Sequence, residues 1–315
     1  MLEKSSELAL ACHVNPDPDA LGSMLGLAAF LDARGKKTVC SFGNDPFAVP
    51  RWAPLLSDSA SLVEPKLFPK SPDVLVTLDT ASLDRLGSLA GRVAKAREVV
   101  WIDHHVSNEG LGTVPVIDPK ASSTAEIVFR LMKVMGGTVP PDAAASLYAG
   151  LITDTGRFQY ESVTAETLEL AAELRSYPFD HARLAQALYE DNSLSYLAAL
   201  GTALRRVTFV PEFELAWTYL TQADLADAGV GPSETDDLID VVRTAREADV
   251  AVVMKQQRDG RFKVSMRSRG ANDVAAAAAA FGGGGHRLAA GYTSDTGVEE
   301  TIRRLAEELG RAKGR

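Results

Sequence analysis

At 315 residues, 46% hydrophobic and 24% charged, with a net charge of −9, the chain suits two soluble domains and lacks the basic surface needed to track long nucleic acid. No apolar run reaches the ~20 residues of a membrane-spanning helix, and the opening MLEKSSELAL lacks the apolar core and cleavage site of a secretion signal. With only Cys12 and Cys40, no disulfide framework is expected, and a reduced, cytoplasmic location is.

The first half alternates strand-like and helix-like segments. Strands are expected at 8–13, 37–42, 73–79, 98–103 and 113–117, with a helix over 20–34 and shorter pieces around 82–95. The strands are continuous Val/Leu/Ile runs, the pattern of strands buried on both faces. They predict a doubly wound α/β domain built on a parallel sheet, with function at the carboxyl ends of its strands. Helices are expected at 123–135, 141–152, 164–175, 181–190 and 194–205. A smaller α/β unit follows, with strands at 207–220, 249–257 and 261–267 and helices at 233–247, 272–280 and 298–312. The expected division is a first domain over 1–190, a helical linker over 191–206 and a second domain over 207–315. In the last helix Val298, Ile302, Leu305 and Leu309 form one apolar stripe, a packing face.

In ACHVNPDPDALG the first strand leads directly into His13, Asn15, Asp17 and Asp19 at alternate positions. Asn15 and Asp17 each precede a proline, which biases them toward extended backbone, and an extended chain puts all four side chains on one side. Asp19 stands where a helix N-cap belongs, so a capped polar turn is the plain alternative. Three more apolar runs end in similar chemistry: VLVTLDTAS on Asp79, VVWIDHHVSN on Asp103, His104 and His105, and AGLITDTGRF on Asp154. Each alone reads as a helix cap or a core hydrogen bond. Strand ends of a doubly wound sheet converge on one crevice, however. Gathering His13, Asp17, Asp19, Asp79, Asp103 and Asp154 there brings up to five negative charges together. Divalent cations relieve that cost, and the count suits two ions roughly 3.5–4 Å apart sharing one carboxylate.

HVNPDPDALGS, TLDTAS, DHHVSN and LITDTGRF resemble, in order, the four motifs of the DHH phosphoesterase family. FGGGGHRLAAG at 281–291 resembles the signature of its DHHA1 domain. Length and domain pairing are similar to the bacterial nanoRNase/pAp phosphatase branch, whose actinobacterial members include enzymes acting on cyclic dinucleotides. The resemblance implies that His13, Asp17 and Asp79 hold one ion, and that Asp19, Asp79, His104 and Asp154 hold the other, with Asp79 bridging. Asp103 would orient a histidine ligand, and His105 would face the substrate phosphate as hydrogen-bond donor or general acid. Two manganese ions per chain are implied; cobalt, magnesium, zinc or iron are compatible with such mixed ligands. Pro18 replaces the glycine common in the family between the two aspartates, and is expected to stiffen the loop without moving a ligand.

In RFKVSMRSR, Phe262, Val264 and Met266 alternate with Lys263, Ser265 and Arg267, giving one core face and one basic face. Four glycines then precede His286. Ordered glycine costs about 0.5–1 kcal/mol against alanine, which is easier to understand if the amides of Gly283, Gly284 and Gly285 approach an anion. With Arg267 and His286 these residues read as a terminal-phosphate pocket, the alternative being a helix terminator. Ser123 and Glu126 make a capping-box pattern, with substrate contact by Ser123 the second reading. Arg157 is either a substrate contact or half of a surface ion pair.

The expected activity is dimetal phosphohydrolysis, with hydroxide attacking phosphorus in line. Expected substrates are short oligoribonucleotides (nanoRNA), cleaved to mononucleotides, and pAp (3′-phosphoadenosine 5′-phosphate), with cyclic-di-AMP and pApA beside them. No membrane partner is expected, and a homodimer is left open. A manganese inorganic pyrophosphatase of the same superfamily is disfavoured by GGGGHRLAAG and the length of the second domain. A non-catalytic nucleotide sensor is disfavoured by the complete ligand set.

Overall fold

The computed structural model describes residues 1–57, 62–108 and 110–312, apart from the side chains of Ser233, His286 and Ala312. The chain divides into two compact units, Met1–Asp191 and Asn192–Arg315.

The first unit runs β1 (Glu7–Cys12), α1 (Pro18–Ala33), β2 (Lys37–Phe42), β3 (Val74–Leu78), α2 (Ala90–Val93), β4 (Glu98–Asp103) and β5 (Val114–Ile117). It then adds α3 (Thr124–Met135), α4 (Pro141–Asp154), α5 (Ala165–Arg175) and α6 (His181–Tyr189). The sheet order is β2-β1-β3-β4-β5, with every neighbouring pair parallel. The chain passes from β1 to β2 and returns over β1 to β3, so the winding reverses between β1 and β3. Beyond the carboxyl ends of those two strands lies the crevice where such sheets bind ligands.

Alternate residues of each strand feed two cores. Leu8, Leu10 and Cys12 pack with residues of α1, α3 and α4, while Ala9, Ala11, Leu75, Val99 and Trp101 pack against Leu86, Leu89 and Val93. The sheet is therefore covered on both faces, as expected. The second cover is thin: the shorter pieces expected around 82–95 are a 3-10 segment, Leu83–Leu89, kinked at Gly87, and the single turn of α2. Helix α1 is buried from Asp19 to Leu31, the pattern of a helix surrounded by protein. Helix α4 crosses its first turn at Gly150, where a Cβ would stand 2.6 Å from Asp19 Oδ1. That close crossing brings the carboxyl end of α4 to the crevice. Cys12 and Cys40 are buried free thiols, and no helix among the described residues is long and apolar enough to cross a membrane.

The second unit contains α7 (Leu194–Arg205), β6 (Thr208–Val210), β7 (Leu215–Leu220), α8 (Gln222–Ala228), α9 (Leu238–Val242), β8 (Val250–Gln256) and β9 (Phe262–Ser268). It closes with α10 (Val274–Ala279), β10 (Gly284–His286), β11 (Ala289–Ser294) and α11 (Val298–Ala312). Its sheet is mixed, in the order β10-β11-β9-β8-β7-β6, with only the β7–β8 pair parallel among its described pairs. One face packs on the α11 stripe, Val298, Ile302, Leu305 and Leu309. The other carries Ala216, Leu220, Ala251 and Val253 against Ala199 and Ala203 of α7. So α7, within the stretch read as linker, packs into the second unit.

Two expected elements of this unit break. The strand over 207–220 is a hairpin, β6 pairing antiparallel with β7, because Pro211 begins a 3-10 turn and Glu214 takes a left-handed backbone at φ 50°. The helix over 233–247 is a 3-10 turn at Pro232–Thr235 and then the short α9.

Candidate metal centre

The loops after β1, β3 and β4 and the end of α4 each contribute to one cluster. Three sets of side chains, His13–Asp17–Asp79, Asp79–His104–His105 and Asp19–His104–Asp154, each bring ligand atoms within 4.8 Å of one another.

Asp79 stands at the middle. It follows β3 with φ 52°, a left-handed backbone that a non-glycine residue adopts at a cost and that is common at functional sites. The residue is buried, and its two oxygens face different ways. Oδ2 lies 3.5 Å from His13 Nε2, and Oδ1 lies 3.7 Å from His104 Nε2. Both histidines have their tautomers set from behind. His13 Nδ1 donates to Val14 O at 2.8 Å, and His104 Nδ1 to Ala121 O at 3.3 Å, which turns each Nε2 toward the carboxylates. Asp17 Oδ2 is 3.6 Å from His13 Nε2, and Asp154 Oδ2 is 3.3 Å from His104 Nε2. This donor set fits two divalent cations on either side of Asp79: each position has one imidazole nitrogen directed at it and at least two carboxylates.

The charges say the same. Burial and the neighbouring charge of Asp79 push the carboxyls of Asp19 and Asp154 well above the usual carboxylate range. Burial works against a charged His13, but its hydrogen bonds to Asp17 and Asp79 prevail and hold the imidazole up at about 10. Without a cation, protons take its place.

Asp103, fully buried at the end of β4, accepts from His105 Nδ1 at 2.7 Å, from the His104 amide at 2.9 Å and from Asn108 Nδ2 at 2.6 Å. Burial opposes its charge, yet these donors keep its carboxyl below the usual range. The imidazole it orients through a side-chain bond is that of His105. Burial likewise disfavours charge on His105, but the Asp103 bond and the charge of Asp79 raise it to about 9.

The opening loop differs from its expected form. Asn15 is left-handed at φ 52°, so the period-two alignment of residues 13–19 is broken there, and Asn15 points instead to Asn44. The cap of α1 is Asp17, which accepts the Ala20 amide at 2.9 Å, not Asp19. Asp19, one residue into the helix, accepts the amides of Thr124 at 2.7 Å and Ala125 at 2.9 Å. These are the first amides of α3, whose dipole favours an anion there.

Ser123 is the cap of α3 and fully buried: its hydroxyl accepts the Glu126 amide at 3.1 Å, while the Glu126 carboxylate returns to Ser122. The structure thus gives Ser123 the capping role. Among the described residues Arg157 forms no ion pair; its guanidinium lies over the Tyr189 ring, 3.9 Å from the centroid. Three residues at the centre escaped sequence reasoning: Thr124, whose hydroxyl donates to Asp79 Oδ1 at 2.9 Å; Asn108; and Arg85, a cation 3.1 Å from a His13 Nδ1 that is already committed to Val14 O. Asn108 sits inside the DHHVSN stretch and was open to notice. The others act across 45 and 72 residues, a pairing no local pattern announces.

In the second unit Arg267, Gly284 and Gly285 line an open depression of about 560 Å³ with Lys263 and Ser265. Only the second half of the glycine run is strand: Gly282, at φ 74°, and Gly283 close the end of α10 with amides donating to Ala279 O and Ala278 O, and Gly284–His286 form β10 against β11. A Cβ on Gly283 would stand 2.2 Å from Gly291 O, and one on Gly285 2.5 Å from Ala289 O, so close strand packing already requires these two. Gly284 has nothing within 4 Å of such a Cβ. Arg267 Nε is 3.7 Å from Asp240 Oδ1, and the His286 side chain lies outside the described residues.

Residues 7–152 match the DHH family, N-terminal domain, and residues 216–312 match the DHHA1 domain. The chain is 34% identical over 308 residues to the bifunctional oligoribonuclease and PAP phosphatase NrnA of Thermus thermophilus, covering 96% of this chain and 90% of that one. It is 26% identical over 324 residues to the cyclic-di-AMP phosphodiesterase GdpP of Geobacillus thermodenitrificans, covering 98% of this chain and 48% of that protein. The crystal structure of an exopolyphosphatase-related protein from Bacteroides fragilis superposes with a TM-score of 0.92 at 26% identity, over 99% of this chain and 94% of that one. With both domains matched in order and a 34%-identical relative aligned over nearly its whole length, the chain belongs to the DHH family, in the form that carries a DHHA1 domain.

Proposed function

We propose that the chain is a manganese-dependent phosphohydrolase that degrades short oligoribonucleotides to mononucleotides and converts pAp to AMP and phosphate. Cyclic-di-AMP and pApA are further substrates in this reading, which the likeness to GdpP supports. The observation that carries it is Asp79, one carboxylate turned to two histidine Nε2 atoms on opposite sides. His13, Asp17 and Asp79 would hold one ion; Asp19, Asp79, His104 and Asp154 the other. Bound there, divalent ions supply Lewis-acid polarisation of the phosphoryl group and of the attacking water.

The chain's own residues do the rest. Backbone amides of α3 and the Thr124 hydroxyl hold Asp19 and Asp79 in place, so the ligands are ordered before substrate arrives. His105 has its Nδ1 engaged by the Asp103 carboxylate, which favours a protonated imidazole. Proton delivery to the leaving oxygen then falls to its Nε2. In the second unit Arg267, Gly284 and His286 bind a phosphate of the substrate other than the one that reacts, Gly283 and Gly285 keeping β10 close to β11. Residues 1–190 serve as the catalytic domain and 207–315 as the substrate-binding domain, in a cytoplasmic protein.

The test is product analysis with manganese on pAp, pApA, cyclic-di-AMP and pyrophosphate side by side. The expected result is AMP and phosphate from pAp, AMP from pApA, and no turnover of pyrophosphate. Turnover of pyrophosphate alone would overturn the reading.

A further inference from the structure

Residues 13–17 carry two of the candidate ligands, His13 and Asp17, on a stretch with no regular structure. Neighbouring loops hold it. The Val14 amide donates to Arg85 O at 2.8 Å, tying it to the loop after β3. The Asn15 amide donates to Asn44 Oδ1 at 2.7 Å, and Asn44 Nδ2 donates back to Asn15 Oδ1 at 2.6 Å, tying it to the loop after β2. Those two loops are tied to each other, since both the amide and the hydroxyl of Ser88 donate to Gly43 O at 3.1 Å. Gly43 permits this contact: a Cβ there would stand 2.0 Å from Leu86 O. The loops leaving β1, β2 and β3 thus close into a ring of hydrogen bonds around the first ligand pair. Asn15, left-handed at φ 52°, sits midway between His13 and Asp17, and Asn44 meets it with both ends of its amide.

We propose that Asn44 is a positioning residue for the cation held by His13, Asp17 and Asp79, its reciprocal amide pair with Asn15 setting the spacing between the two loop ligands. The proposal rests on the metal reading above and goes beyond it. The pair lies on the solvent side, where a hydrogen bond adds little net stability. Six registered β1–β2 residue pairs hold that part of the sheet without it. A metal site is far more sensitive, because groups that orient ligands commonly tune affinity by 10–100-fold. A clasp that served only the fold would have the opposite profile.

The experiment compares the full-length protein with Asn44→Leu, Asn44→Asp and Asn15→Gly. Each is stripped of metal, titrated with manganese by calorimetry, and melted without metal. Asn44→Leu should lose about 10–100-fold in affinity for one of two manganese ions, while its metal-free melting temperature stays within roughly 4 °C of wild type. Its kcat on pAp should recover at saturating manganese. Asn15→Gly keeps the left-handed backbone but lacks the side chain, so it should weaken the same ion by a similar factor. Asn44→Asp still accepts the Asn15 amide, and a flipped Asn15 amide can donate to it, so it should restore most of the affinity. Wild-type manganese affinity in Asn44→Leu, with or without a lower melting temperature, would overturn the proposal. A wild-type protein that binds no manganese would instead overturn the metal reading itself, and the proposal with it.

Discussion

Asp79→Asn is the most direct probe of the centre. It exchanges one carboxylate oxygen for nitrogen at unchanged shape, and asparagine tolerates the left-handed backbone found there. The carboxylate is 3.5 Å from His13 Nε2 on one side and 3.7 Å from His104 Nε2 on the other, so one substitution withdraws charge from both ion positions. A pair of unit charges 4 Å apart is worth about 4 kcal/mol at an effective dielectric of ~20, roughly three decades in binding. The expected loss is therefore about 10³-fold at each position. Calorimetric titration of the metal-stripped protein with manganese reads it directly, and thermal melting provides a second measure. At a hundredfold excess over Kd, each bound ion adds about 2.7 kcal/mol to the wild type. Two such ions raise the melting temperature of a unit this size by roughly 10–20 °C. The variant should show almost none of that rise. Its metal-free melting should change little, because the repulsion Asp79 exerts on Asp19 and Asp154 disappears together with its attraction for His13. Two ions retained at wild-type affinity would refute the bridging role.

The adjacent histidines should separate cleanly: excess manganese partly rescues His104→Ala, whereas His105→Ala keeps its ions and loses about 10²–10⁴-fold in kcat. Metal content and kcat across a manganese titration check this, and the reverse pattern would exchange the two roles. Manganese affinity should rise with pH. In the metal-free site His13 is held up at about 10 and Asp19 and Asp154 are also raised, so binding must expel protons. The gain is up to about tenfold per pH unit for each proton released, ending as pH passes about 10, and equal Kd values at pH 6.5 and 8.5 would contradict it. In the second unit Gly285→Ala, with its Cβ 2.5 Å from Ala289 O, should lower the melting temperature, whereas Gly284→Ala should leave it unchanged. If Gly284 approaches a phosphate, its variant raises KM for pAp but not for a phosphodiester lacking the second phosphate; equal effects on both would leave the glycines a packing role only.

The sheet and the convergence of its acids and histidines were legible for the same reason. A parallel strand buried on both faces must be apolar along its whole length, so the point where Asp79 or Asp103 interrupts the run marks the strand end within a residue. Once the strands are known to be parallel, their ends must meet. The second unit was harder to read at the edges of its sheet, where β6 and β10 are three residues each. Gly284–His286 offers a strand only three residues long, two of them glycine, with nothing in its local pattern to suggest pairing. The partner, Ala289–Ser294, holds it through Gly291, Ala290 and Ala289, a register that tertiary packing selects and propensity does not. In the loop after β1, the prolines favoured extended backbone, but the bonds from Asn44 stabilise a left-handed Asn15, a conformation asparagine tolerates better than most residues.

The residues that hold the carboxylates explain why these charges read as a metal centre and not as a structural ion-pair network. Asp17 accepts from the Ala20 amide, Asp19 from the Thr124 and Ala125 amides, Asp79 from the Thr124 hydroxyl, and Asp103 from Asn108. All of these donors are neutral; the exception is His105 Nδ1, which also donates to Asp103. Among the described residues no lysine or arginine lies within ion-pair distance of the five carboxylates; their only ion-pair partners are His13, His104 and His105. A buried network built for stability would pair its acids with fixed cations, because an unpaired buried charge is costly. Here neutral donors fix most of the carboxylate geometry, and among the described residues the charge is met only by protons on imidazoles and on the acids themselves. The histidines can give up their protons and remain ligands, which lysine and arginine cannot do in the same way. Position is specified by neutral groups and charge is left to exchangeable protons, the arrangement that suits a divalent cation.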